Sequence, residues 1–80
     1  MVNSRANGRV RVIKSAEIEY GGDKILCTVR DLSITGAALE LSDLGTRIPA
    51  TFNLQIPEDR LVLPCSVVWR RGFRMGVQFL

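Results

Sequence analysis

Histidine is absent from this 80-residue chain, and cysteine occurs only at Cys27 and Cys65. Without histidine, neither a Cys-His nucleophile pair nor the usual zinc ligand sets can be assembled. Each cysteine falls within an alternation of apolar and polar residues, which is typical of a buried free thiol; a disulfide between them is the alternative. We therefore expect a protein that is not an enzyme and that holds neither a metal ion nor a cofactor.

Long apolar runs are also missing from the sequence. No stretch approaches the ~18 to 20 residues that a membrane-spanning helix needs, and Met1 to Ser4 lead into charged residues rather than into the apolar core of a signal peptide. These features indicate a cytoplasmic protein without a membrane span. A chain of this length buries roughly 60 to 65% of its unfolded surface, enough for one core. We expect residues 1–80 to form a single domain.

Acidic residues are missing from both ends of the chain. Segments 1–14 and 70–80 hold seven basic residues and no acid, whereas residues 15–69 hold eight acids and four basic residues. The formal net charge is +3. Basic ends around an acidic middle indicate one local anion site rather than a face that coats nucleic acid.

Apolar residues occupy alternate positions along most of the chain, a period that predicts β-strands. Six segments show it, and no stretch sustains a helical period. The alternating residues are Val10, Val12, Ala16, Ile18 and Tyr20; Ile25, Cys27 and Val29; Ala37, Leu39 and Leu41; Ala50, Phe52, Leu54 and Ile56; Leu61, Leu63, Cys65, Val67 and Trp69; and Phe73, Met75, Val77 and Phe79.

Six strands with one apolar face each cannot cover those faces as an open sheet in so short a chain, because no second layer exists. Closing the sheet on itself gives every apolar row an interior and removes most exposed edges. The sequence therefore predicts an all-β fold, a small six-stranded antiparallel barrel with little or no helix, over residues 10–80.

Two short patterns carry most of the functional information: Arg5-Ala-Asn-Gly-Arg9 and Asp31-Leu-Ser-Ile-Thr-Gly36. In their order and separation they resemble the RxxxR and DxSxxG signature of the PilZ domain family. A third block, Val67 to Phe79, also resembles that family, so the likeness runs from about Arg5 to Phe79. The resemblance implies a six-stranded barrel that binds the bacterial second messenger cyclic di-GMP and signals to a downstream protein partner.

The first pattern is suited to guanine and phosphate. Residues four apart on a straight strand are separated by about 13 Å, too far to hold one small group. The dipeptide Asn7-Gly8 can turn the chain and bring Arg5 toward Arg9. Arginine pairs bidentately with phosphate oxygens and with guanine O6 and N7. We expect residues 1–9 to form a partly flexible arm that changes on ligand binding, with Arg11 as a possible additional contact.

The second pattern predicts a turn between strands with polar side chains left over. Asp31 continues the two-residue alternation of Cys27 and Val29, so its side chain should point to the interior at the rim of the barrel. There the carboxylate can accept hydrogen bonds from guanine N1–H and N2–H or can orient an arginine. Ser33 adds a hydroxyl for base or backbone. Gly36 permits an unusual backbone angle or a close ligand approach. The alternative is that Asp31 and Ser33 bond only their own turn.

The aromatic residues all fall on apolar rows, so we expect Tyr20, Phe52, Trp69, Phe73 and Phe79 to lie in the core. A barrel that binds single-stranded nucleic acid needs outward aromatic side chains, and this makes nucleic acid an unexpected partner. Two alternatives to the cyclic di-GMP receptor remain: a PilZ-fold protein-interaction module without ligand binding, and a small basic nucleic-acid-binding β-barrel.

Overall fold

The computed structural model describes residues 9–43 and 47–80. Within these residues the chain forms six strands and one short 3₁₀ turn. The elements are β1 (Val10–Tyr20), β2 (Asp23–Leu32), β3 (Gly36–Leu41), β4 (Thr51–Ile56), the 3₁₀ turn (Pro57–Asp59), β5 (Leu61–Arg71) and β6 (Arg74–Phe79). Strands make up 72% of the structure, which confirms the predicted all-β fold. The expected arm, apart from Arg9, lies outside the described residues.

The strands close into an antiparallel barrel in the order β1-β2-β3-β6-β5-β4, and β4 pairs back onto β1. This closing seam joins Glu17–Glu19 to Asn53–Gln55. A side-chain hydrogen bond from Gln55 Nε2 to Glu19 Oε1, 2.7 Å long, spans the seam on the outer side. The predicted six-stranded barrel is confirmed.

The core lies inside the barrel and is drawn from every strand, because alternate residues of each strand point inward. Cys27 and Cys65 are both free and buried in it, so the predicted thiol role is confirmed. Burial raises the pKa of Cys27 to about 12 and that of Cys65 to about 11. The core residues are Ala16, Ile18, Cys27, Val29, Leu39, Leu41, Phe52, Leu54, Ile56, Cys65, Met75 and Val77.

Five residues of the predicted inward rows are exposed: Val10, Ala50, Leu61, Trp69 and Phe73. Val10 is the first residue of β1 and is 58% exposed at the end of the strand, although its partner Leu32 packs against the core. The register of β5 against β6 shifts between Val67 and Trp69, and Trp69 is 46% exposed. A bulge of this kind moves every following residue to the other face of the sheet.

Phe73 is also exposed, for a different reason. The hairpin between β5 and β6 is closed by the pair Arg71 and Arg74, which leaves Gly72 and Phe73 as its two turn residues. Gly72 adopts a φ of 57°, the left-handed region that such two-residue turns require. Phe73 therefore sits at the tip of the hairpin, whereas Phe52 is buried and Tyr20 and Phe79 pack against the core as predicted.

The 3₁₀ turn is held against β1 by ion pairs. Lys14 lies on the inward row of β1 and its Nζ donates to Asp59 Oδ2 at 2.7 Å, with Glu58 Oε2 at 3.6 Å. The hydrogen bond to Asp59 raises the pKa of Lys14. The ammonium therefore stays charged at neutral pH and ties β1 to the connection between β4 and β5.

Candidate ligand-binding site

The residues of the second sequence pattern line an open cleft of about 560 Å³ on the outer surface of the barrel. That volume falls within the range of small-molecule sites. Its walls come from the β2–β3 turn, the start of β3, and the facing parts of β5 and β6, with Arg9 at the edge. The lining residues are Arg9, Asp31, Leu32, Ser33, Ile34, Thr35, Gly36, Ala37, Ala38, Val68, Trp69, Gly76, Val77 and Gln78.

The turn that carries Ser33 is held by its own hydrogen bonds. Ser33 Oγ accepts from the backbone N–H of Thr35 at 3.2 Å and of Gly36 at 3.1 Å. The same hydroxyl lies 3.2 Å from the Gly36 carbonyl and 3.2 Å from Thr35 Oγ1. One hydroxyl has one proton and two lone pairs, so these contacts use its whole capacity. Ser33 therefore stabilises its own turn, which was the alternative to a direct ligand contact for this residue.

Gly36 is required by the neighbouring strand. A Cβ placed on Gly36 would overlap the carbonyl oxygen of Val77 on β6, and the φ of Gly36 is not positive. The expected unusual backbone angle is therefore wrong. Instead, Gly36 allows β6 to pack closely against the turn. A 2.8 Å hydrogen bond from the Phe79 N–H to the Thr35 carbonyl also holds β6 against the turn.

A row of directly paired residues crosses the cleft. Asp31 on β2 pairs with Ala38 on β3, Ala38 with Gly76 on β6, and Gly76 with Trp69 on β5. Directly paired residues on neighbouring strands share a face. Ala38 alternates with the buried Leu39, so the face of this row is the outer one. The cleft thus has a carboxylate at one end and an indole at the other.

The position of Asp31 differs from the prediction. The register of β2 against β3 shifts between Val29 and Asp31, so Val29 pairs with Leu39 inside the barrel and Asp31 pairs with Ala38 outside it. The predicted inward carboxylate is wrong for this reason. Among the described residues, no hydrogen bond or ion pair engages the Asp31 carboxylate, which leaves it available to a ligand.

Trp69 is a site residue that the sequence analysis missed, because it predicted this side chain to lie in the core. A Cβ on Gly76 would overlap the indole of Trp69, so the ring lies directly over Gly76. Its outer face remains about half exposed and borders the cleft. A glycine inside a strand pattern marks a bulge or a close approach, and Gly76 was the available signal.

The arginines divide between two neighbouring depressions. Arg9 is exposed and lines the cleft. Arg11 pairs with Asp31 across β1 and β2, and it lines an adjoining groove that shares Asp31 with the cleft. Arg5 lies outside the described residues. The structure therefore brings Arg9, Asp31, Ser33 and Gly36 of the sequence-predicted site together.

Comparison with known families agrees with this geometry. A family model described as PilZ domain matches residues 3–80, essentially the whole chain. The chain belongs to the PilZ domain family. PilZ domains form a family of cyclic di-GMP-binding domains that act as ligand-binding adaptors rather than enzymes. A search of curated proteins found no match.

In residues 9–43 and 47–80, no helix is long and apolar enough to cross a membrane.

Proposed function

We propose that this PilZ domain is a receptor for cyclic di-GMP that binds the ligand in the cleft between Asp31 and Trp69 and signals its presence to a partner protein. The single observation that carries the proposal is the unengaged carboxylate of Asp31 in the same cleft as an exposed indole and Arg9. Family membership supports the ligand, and the cleft supports the residues that hold it.

The carboxylate supplies selectivity for guanine. Asp31 accepts two hydrogen bonds from adjacent donors, which guanine presents as N1–H and N2–H. Adenine offers no such pair and has a donor at position 6, where guanine has an acceptor. A carboxylate also repels phosphate, so the base rather than the phosphate meets Asp31.

The indole and the arginine supply the remaining contacts. Gly76 lies two strand spacings from Asp31, roughly 10 Å, and the indole of Trp69 covers it. A purine can stack on the exposed indole face within this distance of Asp31. Arg9 at the edge of the cleft meets phosphate or guanine bidentately, and Arg5 is proposed to do the same from the N-terminal arm. Arg11 is an additional contact from the adjoining groove.

The turn provides a preorganised wall for the ligand. Because Ser33 satisfies the N–H groups of Thr35 and Gly36, the turn keeps its form without ligand. Ligand binding therefore costs little ordering on this side of the cleft. The response is proposed to lie on the other side, where the N-terminal arm carrying Arg5 and Arg9 changes its position and gives a partner a new surface to read.

Isothermal titration calorimetry with cyclic di-GMP, cyclic di-AMP and GMP tests the proposal. We expect saturable binding of cyclic di-GMP, one molecule per chain, and much weaker binding of the other two. One ligand is expected because, in the PilZ family, two bound ligand molecules often accompany a basic residue just before the first motif arginine, and this chain has Ser4 at that position. Equal affinity for cyclic di-AMP would contradict the guanine assignment, and an endpoint of two would contradict the stoichiometry.

The same titration separates the two alternative functions. Two aromatic side chains, Trp69 and Phe73, are exposed on the outside of the barrel, contrary to the prediction that all aromatic residues lie in the core. They do not form a stacking row, however, since Trp69 borders the cleft and Phe73 sits at a hairpin tip. An interaction module without ligand would give no heat with cyclic di-GMP. A nucleic-acid-binding barrel would bind oligonucleotides with an affinity that falls steeply with salt.

A further inference from the structure

Beside the ligand cleft, five arginines form what we term the basic surface: Arg11, Arg30, Arg70, Arg71 and Arg74. Two grooves run through it. Arg11, Arg30 and Arg74 line one of about 670 Å³ together with Val12, Ile13 and Asp31. Arg70, Arg71 and Arg74 line one of about 510 Å³ together with Trp69. Arg74 lines both grooves, so the two lie next to each other.

The positive charge of this surface is largely uncompensated. Arg30 forms an ion pair with Glu40 at 3.4 Å, and Arg74 stands directly opposite Glu40 on the neighbouring strand. The other three ion pairs of the described ranges lie outside this surface: Lys14 pairs with Glu58 and Asp59, and Lys24 pairs with Glu17. The five guanidinium groups therefore have two carboxylates nearby: Glu40, which pairs with Arg30, and Asp31, which lines the first groove.

The chemistry of the grooves favours an acidic protein segment as the partner. Guanidinium groups pair bidentately with carboxylates, and Ile13, 77% exposed in the first groove, offers an anchor for an apolar side chain. Glu40 and Asp31 would repel a phosphate backbone, which carries a charge at every step, whereas a protein segment can place an uncharged residue opposite each of these two carboxylates. Nucleic acid and anionic membranes are therefore disfavoured at this surface.

We infer that the basic surface is the docking site for an acidic, partly apolar segment of a partner protein. The inference rests on the proposed function only in assigning this partner a role in signalling. Since Asp31 and Trp69 each border both the ligand cleft and one of the two grooves, a segment bound there would touch residues that the ligand also touches.

The test is a titration of the ¹⁵N-labelled protein with a short synthetic peptide of glutamates with interspersed leucines, followed by NMR chemical shifts. We expect shifts concentrated at Arg11, Ile13, Arg30 and Arg74. The double variant Arg30→Gln/Arg74→Gln should bind the peptide at least about tenfold more weakly. Neutral glutamine avoids placing a second carboxylate beside Glu40.

The matched control is Lys24→Gln/Arg60→Gln, which removes the same two charges away from the basic surface and should change peptide affinity less than about twofold. Thermal unfolding checks that both variants are folded. Equal weakening by the two double variants, shifts located elsewhere, or tighter binding of an oligothymidylate or of phosphatidylglycerol vesicles to the same surface would overturn the inference. Calorimetry with cyclic di-GMP on the same samples judges the proposed function separately, because Arg30 and Arg74 do not line the cleft.

Discussion

Replacing Trp69 with alanine should weaken cyclic di-GMP binding and should also lower the stability of the domain by a similar amount of free energy. The exposed face of the indole borders the cleft, and stacking of a base on an aromatic side chain contributes about 1 to 3 kcal/mol. The expected loss in affinity is therefore about fivefold to 150-fold. A fully buried tryptophan costs ~3 to 5 kcal/mol of stability when truncated, and Trp69, 46% exposed, should cost about half of that.

Phe73 offers a matched control, because it is 45% exposed and does not line the cleft. Phe73→Ala should leave cyclic di-GMP affinity within about twofold, and Trp69→Phe should retain most of the stacking. The affinities are measured by calorimetry at a temperature below the thermal unfolding midpoints of all variants, so that each protein is folded. Trp69 is the only tryptophan, so a change in its emission on titration reports ligand contact directly. Equal affinities for wild-type protein and Trp69→Ala would refute the placement of the base on the indole.

The fold and the core give two further predictions. Gly36→Ala should destabilise the domain by about 1 to 3 kcal/mol, because its Cβ would overlap the Val77 carbonyl of β6, and an unchanged thermal midpoint would disprove this close approach. Cys27 and Cys65 should react slowly with a thiol reagent at pH 8 until denaturant is added, since burial raises their pKa values to about 12 and about 11. Their folded pKa values exceed the ordinary 9.0, so their contribution to stability is complete below pH 9 and falls as the pH rises toward 11 to 12; fast labelling of the native protein would contradict their burial.

The buried residues that the sequence predicted correctly lie on strand segments that keep the same register with the neighbouring strand. Cys27 and Val29, Leu39 and Leu41, and Phe52, Leu54 and Ile56 alternate without a bulge, and all are buried. Barrel closure followed from the same rows, because inward faces of six strands require an enclosed interior. Local alternation was sufficient wherever the neighbouring strand kept the same register.

The site was less predictable because it lies where the register shifts. The residues of both motifs were identifiable, yet the outward position of Asp31 depends on how β2 pairs with β3. The exposure of Trp69 likewise depends on how β5 pairs with β6. Such shifts arise from cross-strand contacts that a single strand's pattern does not contain. The role of Gly36 also required the position of Val77, distant in sequence.

Comparing cyclic di-GMP affinities of Arg9→Ala and Arg60→Ala by calorimetry tests the central claim most directly. Arg9 lines the cleft, whereas Arg60 is the C-cap of the 3₁₀ turn. Arg60 precedes β5, and the residues of β5 that line the cleft, Val68 and Trp69, lie near the other end of that strand. Arg9→Ala should bind at least about tenfold more weakly, since a bidentate guanine contact contributes ~1 to 3 kcal/mol, and Arg5→Ala should behave alike. Arg60→Ala should stay within about twofold at moderate salt. Equal weakening by Arg9→Ala and Arg60→Ala would contradict a specific site and indicate diffuse electrostatic attraction instead.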